Sequence, residues 1–208
     1  MKKSVFLFTL LLSLSFSSLA QKVTFGPMVS GLYNWASYND DEWETKPVGG
    51  FSAGLFARAK LLKFYIQPEL LYSSRGSDFQ KQDALTGQFD IQKFRYQTID
   101  LNLMFGFQLF AFAHDAAGFR LHTGPGTFFM INDSFKINED DITASEATFK
   151  NNILNWQFGV GVDFTHRLMF DLRYEHGLSN IVKDSPSDAR IVPNAFMVQL
   201  AYKLIKKK

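Results

Sequence analysis

The sequence predicts an all-β fold, an eight-stranded antiparallel transmembrane β-barrel with short periplasmic turns and four long extracellular loops. Three observations predict it. The first is strict alternation of large apolar with polar or small residues over segments of about ten residues, the length of a tilted membrane-spanning strand. The second is that eight segments carry this pattern or its outline. The third is that their connections alternate between short and long, as in bacterial outer-membrane barrels.

Ile99 to Leu109 shows the alternation best. Ile99, Leu101, Leu103, Phe105, Phe107 and Leu109 are large and apolar, and Asp100, Asn102, Met104, Gly106 and Gln108 lie between them. A period of two places these sets on opposite faces of a strand, one toward lipid and one toward a lumen. The other strands follow in chain order. Phe25 to Trp35 is the least regular, and its glycines and Pro27 leave the phase open. Phe51 to Leu61 sets Phe51, Ala53, Leu55, Ala57, Ala59 and Leu61 against Ser52, Gly54, Phe56, Arg58 and Lys60. Phe64 to Ser73 alternates next, then Ile99 to Leu109 as the fourth strand. Phe119 to Phe129, Trp156 to Thr165, Leu168 to Glu175 and Phe196 to Leu204 complete the set. Pro68 and Pro125 interrupt two of these strands and suggest bulges, because proline removes a ladder hydrogen bond.

Short turns are expected near Leu62, His114 to Ala117 and His166-Arg167. Long polar connections are expected near Ser37 to Val48, Gly76 to Lys93, Asn132 to Asn152 and Ser179 to Pro193. A soluble eight-stranded barrel would show the same period with its apolar face inside. The polar faces argue against it, since they hold many glycines and charges of both signs. The aromatic ends of the apolar faces, at Phe164, Tyr174 and Tyr202, suit an interfacial girdle.

Residues 1–20 read as a signal peptide. Lys2 and Lys3 precede the apolar run Val5 to Leu14, and Ser18-Leu19-Ala20 supplies small residues for cleavage before Gln21. Residues 21–208 form the barrel domain. Without cysteine there is no lipid anchor at the cleavage site, no disulfide and no thiolate metal site. The chain holds 23 phenylalanines, many for a soluble domain of this size. Its 22 basic and 20 acidic residues balance once Lys2 and Lys3 are removed, so no nucleic-acid footprint is expected.

The lumen of an eight-stranded barrel is just wide enough to be filled by its own side chains. The inward parity assigns it Glu69, Asp100, Asp163, Asp171 and Glu175, with Arg58, Lys60, Arg75, Arg120, Arg173 and Lys203. Such charges must pair, because an unpaired buried charge is very costly. Asp100 is expected to pair with Arg120 or Arg75, and Arg173 to bridge Asp163 and Asp171 across the His166-Arg167 turn. A salt-bridged plug is preferred to a gated ion path. In the loops, Asp40, Asp41, Glu42 and Glu44 surround Trp43, and Glu139, Asp140 and Asp141 form a second acidic run. These runs are solvated loops or recognition elements for lipopolysaccharide or an external ligand. Neither has the spacing of an EF-hand. The four histidines, His114, His122, His166 and His176, are scattered, and no nucleophile motif accompanies them. No enzyme activity, cofactor or metal is expected.

Several motifs resemble those of the PorT-like family of small porin-type outer-membrane barrels of Bacteroidetes. They are QPELLYSSRG (Gln67 to Gly76), RYQTIDLNLMFGF (Arg95 to Phe107), HTGPGTFF (His122 to Phe129) and RYEHGLSNI (Arg173 to Ile181). Two features depart from the family pattern. Asp100 stands where proline is usual, and the sequence closes on Lys206-Lys207-Lys208 instead of an aromatic residue. The resemblance implies an outer-membrane location and a structural or interaction role, with contacts to lipid, lipopolysaccharide and envelope proteins. It implies as alternatives an accessory subunit of an envelope protein-secretion system or a small gated porin.

Overall fold

The computed structural model describes residues 22–38, 44–82, 89–112, 117–137, 140–141, 152–181 and 191–204. The signal-peptide region, residues 1–20, lies outside them. Ten strands follow in chain order: β1 (Lys22–Tyr38), β2 (Glu44–Lys46), β3 (Val48–Leu61), β4 (Phe64–Gln82), β5 (Phe89–Phe112), β6 (Ala117–Ile137), β7 (Asp140–Asp141), β8 (Asn152–Asp163), β9 (Leu168–Gly177) and β10 (Ile191–Tyr202). Eight of them close a barrel in the order β1-β3-β4-β5-β6-β8-β9-β10, with β10 returning to β1. Every pairing is antiparallel. Closure leaves no unpaired edge along the spanning staves, the condition for placing backbone in lipid.

The two faces of the sheet differ as the sequence alternation requires. On β5, Leu101 and Phe105 are each 45% exposed, whereas Asp100 and Met104 are almost completely buried. On β9, Leu172 faces out and Asp171, Arg173 and Glu175 face in. This is inside-out relative to a soluble barrel: aliphatic and aromatic side chains cover the wall, and charges fill the interior. The phase of β1, open in the sequence, is settled by pairing of Met28 with Ala201 and Gly54. Phe25, Val29 and Tyr33 face out, and Met28, Ser30, Leu32 and Asn34 face in.

Three differences from expectation concern the ladder. Pro68 and Pro125 produce no bulge. The β3–β4 and β5–β6 ladders skip pairs beside them but keep the same register on either side. A proline deletes one donor, and the neighbouring pairs suffice to hold alignment. The register shifts fall elsewhere, at Gln97/Thr98 and Gln108/Phe110. The second leaves Leu109 and Phe110 both facing outward, ending the alternation of this strand.

The third difference is the length of β4, β5 and β6. Much of Gly76 to Lys93 is not loop. Ser74 to Gln82 pairs with Phe89 to Gln97, and β6 continues to Ile137 beside β5. β2 adds to the far end of β4 and β7 to the far end of β6. One wall therefore extends beyond the end of the barrel that carries the long connections. At the other end the connections are short. Leu62 and Lys63 alone join β3 to β4, with Leu62 in the left-handed region at φ 56°.

Aromatic side chains collect near both ends of the outer face. Trp35 stacks on Tyr174 and contacts Phe196 toward the long-connection end. Phe64 meets Phe107, and Phe164 meets Phe170, toward the short-turn end. The Trp156 indole N–H donates to Thr123 Oγ1 at 2.7 Å, and the Thr123 hydroxyl donates to the Gln157 carbonyl at 2.8 Å. Both donors on the outer wall are thus satisfied without water.

Candidate functional site: a filled lumen

The lumen is the one place where titratable groups from many strands converge. Its centre is the pair formed by Arg173 of β9 and Glu69 of β4. The Arg173 guanidinium donates to both Glu69 oxygens at 2.8 Å, a bidentate bond across the barrel. Gln67 Nε2 donates to Glu69 at 2.6 Å, and Arg58 Nε donates to Gln67 Oε1 at 2.5 Å. These links join β9, β4 and β3 through side chains alone.

Toward the long-connection end, Arg75 is held between two carboxylates. Its terminal nitrogens donate to Glu175 Oε1 at 2.5 Å and to Asp100 Oδ2 at 2.8 Å. Asp100 also accepts from the hydroxyls of Ser73 and Thr98, each at 2.6 Å. Glu175 accepts from Gln157 Nε2 at 3.1 Å. Of the two bases expected for Asp100, Arg75 makes the contact. Arg120 is engaged lower in the barrel.

Toward the short-turn end, Arg120 of β6 is the bridge. Its Nη2 donates to Asp171 at 2.9 Å, and its Nε lies 3.4 Å from Asp163. Asp163 is also approached by Lys203 at 3.3 Å and by Arg58 at 3.9 Å. Arg173 does not form the expected bridge between Asp163 and Asp171; Arg120 contacts both. Arg173 lies 3.6 Å from Asp171 but its strongest donors are spent on Glu69. The two aspartates are also not opposite one another, since Asp163 pairs with Met169 and Asp171 with Gly161. Gly161 makes the crowding possible. A Cβ there would collide with the Asp171 carboxylate and the Arg120 guanidinium.

Of the eleven charged residues expected in the lumen, ten (Arg58, Glu69, Arg75, Asp100, Arg120, Asp163, Asp171, Arg173, Glu175 and Lys203) are buried, and Lys60 is half-buried at the short-turn mouth; the ten form two ion-pair groups linked by Gln157, which donates to Glu175 and accepts from Arg173. Of the loop set, Asp40, Asp41, Glu42 and Trp43 lie outside the described residues. Glu44 is exposed, at the start of β2 opposite Gln80. Of the second run, Asp140 and Asp141 form β7, and Glu139 lies outside the described residues. His122 is buried near Asp171, whereas His176 lies on the outer face with Nδ1 2.8 Å from Asn194 Oδ1. His114 lies outside the described residues. Among the described residues no group of His, Cys, Asp and Glu has a metal-binding arrangement.

Sequence reasoning missed the upper closure of the lumen. Above Arg75 and the buried Ser77 an apolar group fills the lumen. Phe79, Phe94, Tyr96, Phe128, Ile153 and Ile181 form one buried cluster with Ala36. Phe94 stacks on Tyr96, and Tyr96 on Phe128. The Arg75 guanidinium sits 4.9 Å from the centre of the Phe128 ring. The cluster is an aromatic cap over the charge network. Its signal was parity: Phe79 is in phase with Arg75, and Phe94 and Tyr96 with Asp100.

A family model described as outer membrane protein beta-barrel domain matches residues 10–183 of the chain. The chain belongs to that family. Its membership and its lipid-facing wall make it a small barrel of the bacterial outer membrane. The fold is shared with Neisserial surface protein A, and weaker likenesses to two other solved outer-membrane proteins are also found. Neisserial surface protein A is 12% identical at a TM-score of 0.50, with 88% of this chain and all of that chain covered. OprG from Pseudomonas aeruginosa is 10% identical at a TM-score of 0.46, with 87% and 97% covered. The attachment invasion locus protein Ail of Yersinia pestis is 11% identical at a TM-score of 0.43, with 88% and 100% covered. No curated protein matches the sequence.

Proposed function

We propose that this barrel is a closed, rigid outer-membrane anchor whose role is structural or interaction-based, not conductive or catalytic. One observation carries the reading: above the short-turn mouth the lumen is filled up to its cap by paired charges and stacked aromatic rings. Such a plug stiffens the cylinder through cross-lumen bonds and offers no continuous water path among the described residues. The working surface is then the long-connection end, where the extended β4–β5–β6 wall rises and the acidic run Asp40 to Glu44 is placed by sequence. Lipopolysaccharide and envelope proteins are the partners this end suits, through cation-bridged carboxylates and Trp43. The signal peptide of residues 1–20 delivers the chain there.

The motif resemblance to PorT-like barrels of Bacteroidetes supports a second reading, an accessory subunit of an envelope protein-secretion system. Affinity purification of the tagged barrel from native outer membranes, followed by mass spectrometry, tests both. A defined partner lost on deletion of residues 38–46, with the barrel still inserted, supports interaction through the loop. Recovery of large envelope assemblies independent of that loop supports the accessory subunit. A barrel that purifies alone contradicts both.

A further inference from the structure

The charges of the lumen balance overall but not layer by layer. Among the described residues five buried cations (Arg58, Arg75, Arg120, Arg173 and Lys203) face five buried carboxylates. Arg173 and Glu69 match in the middle. Above them one cation, Arg75, faces both Asp100 and Glu175. At the short-turn mouth three cations, Arg58, Arg120 and Lys203, share Asp163 and Asp171 as the only carboxylates among the described residues. Among the described residues that mouth therefore carries a surplus positive charge. Uncompensated buried charge is costly, so a site of this kind gains from a counter-ion.

The mouth also has the space and the donors. A cavity of about 50 Å³ opens there, lined by Arg58, Lys60, Arg120, Asp163, His166 and Lys203 among others. By a measure in which one water needs roughly 10–15 Å³, this admits a small oxyanion. Among the described residues buried Arg58 Nη2 makes no hydrogen bond, and buried Arg120 Nε, 3.4 Å from Asp163 Oδ2, meets that carboxylate without hydrogen-bond geometry. Each is an N–H donor on a group that stays charged. The Tyr65 ring fixes the first of these, with the Arg58 guanidinium 4.3 Å from its centre. Gln67 holds Arg58 Nε from the other side. Asp163 lines the cavity too, but it is outnumbered by the three cations around it.

We propose that the short-turn mouth is a binding site for a small, freely diffusing oxyanion of the phosphate class, held by Arg58 and Arg120 with Lys203 at the entrance. By the rule that outer-membrane barrels turn tightly on the periplasmic side, it opens to the periplasm. The strand wall separates it from lipid, which excludes a headgroup as the occupant.

The test is titration of inorganic phosphate, at constant ionic strength, into the full barrel folded in an uncharged maltoside detergent, read by calorimetry and by phosphorus NMR line width. Saturable one-to-one binding is expected. Loss of one charge-assisted donor in Arg58→Gln weakens it about tenfold or more. Asp163→Asn, which removes the competing carboxylate, tightens it. Lys203→Gln at the rim serves if Arg58→Gln fails to fold, with weaker binding expected. Absence of saturable binding to the unaltered barrel overturns the proposal. So does equal binding by Asp163→Asn and the folded cation variant, which would mark nonspecific association.

Discussion

Replacing Arg75 by methionine is the sharpest perturbation of the plug. Methionine replaces the aliphatic stem of the side chain and stops about where Nε lies, so packing along the stem is kept while the guanidinium over the Phe128 ring is lost. The electrostatics change fully. Asp100 and Glu175, both nearly inaccessible, lose their shared partner. Breaking a buried pair from one side costs about 3–5 kcal/mol, chiefly because the remaining charge is left uncompensated. Here two carboxylates are stranded. The hydroxyls of Ser73 and Thr98 and the amide of Gln157 offset part of the loss, which keeps the expectation within that range. With a urea slope of about 2 kcal/mol per molar, the unfolding midpoint falls by roughly 2 M. The assay is reversible urea unfolding in lipid vesicles followed by tryptophan fluorescence. The same cycle contains its control. Arg75→Met combined with Asp100→Asn and Glu175→Gln removes the charges altogether and recovers most of the lost stability, since a neutral set of similar shape strands nothing. A single variant within about 1 kcal/mol of the parent would refute the reasoning. It would mean that the carboxylates are hydrated and the lumen is wet.

Three further outcomes follow from separate parts of the barrel. Gly106→Ala sets a Cβ against the Tyr65 ring, which lies over this glycine from the neighbouring strand and contacts the Arg58 guanidinium; a loss of about 1–3 kcal/mol in the same unfolding assay is expected. Leu103→Arg puts a charge on the lipid face at mid-strand and costs roughly 2–4 kcal/mol, whereas a barrel with reversed facing would tolerate it. Leu62→Asn relieves a side chain from a left-handed backbone position in a two-residue hairpin; a gain of up to about 1 kcal/mol is expected, measured as a higher urea midpoint.

The lipid-facing and lumen-facing sets of β5, β8 and β9 were legible because each residue's environment there depends only on parity. β1 was less so. Its inward face carries Met28 and Leu32 beside Ser30 and Asn34, so both faces look apolar until pairing with β10 and β3 fixes them. The extension of β4 and β5 past Gly76 was hidden for the opposite reason. Ser77, Asp78, Gln80 and Lys93 carry a polar signature shared with loops, and the strand exists because each half pairs with the other. Within the lumen, which residues face inward was readable, but which of them meet was not. Arg173 and Glu69 are 104 residues apart, and Arg75 and Glu175 are 100 apart. Such contacts depend on the tilt and stagger of a closed cylinder, which no local pattern encodes.

The central claim is that paired charges and an aromatic cap close the lumen. Single-channel recording of the purified barrel in planar bilayers tests it most directly. A closed lumen gives baseline current with no stable openings across applied voltages of either sign. Sustained openings of uniform, salt-dependent conductance would contradict it.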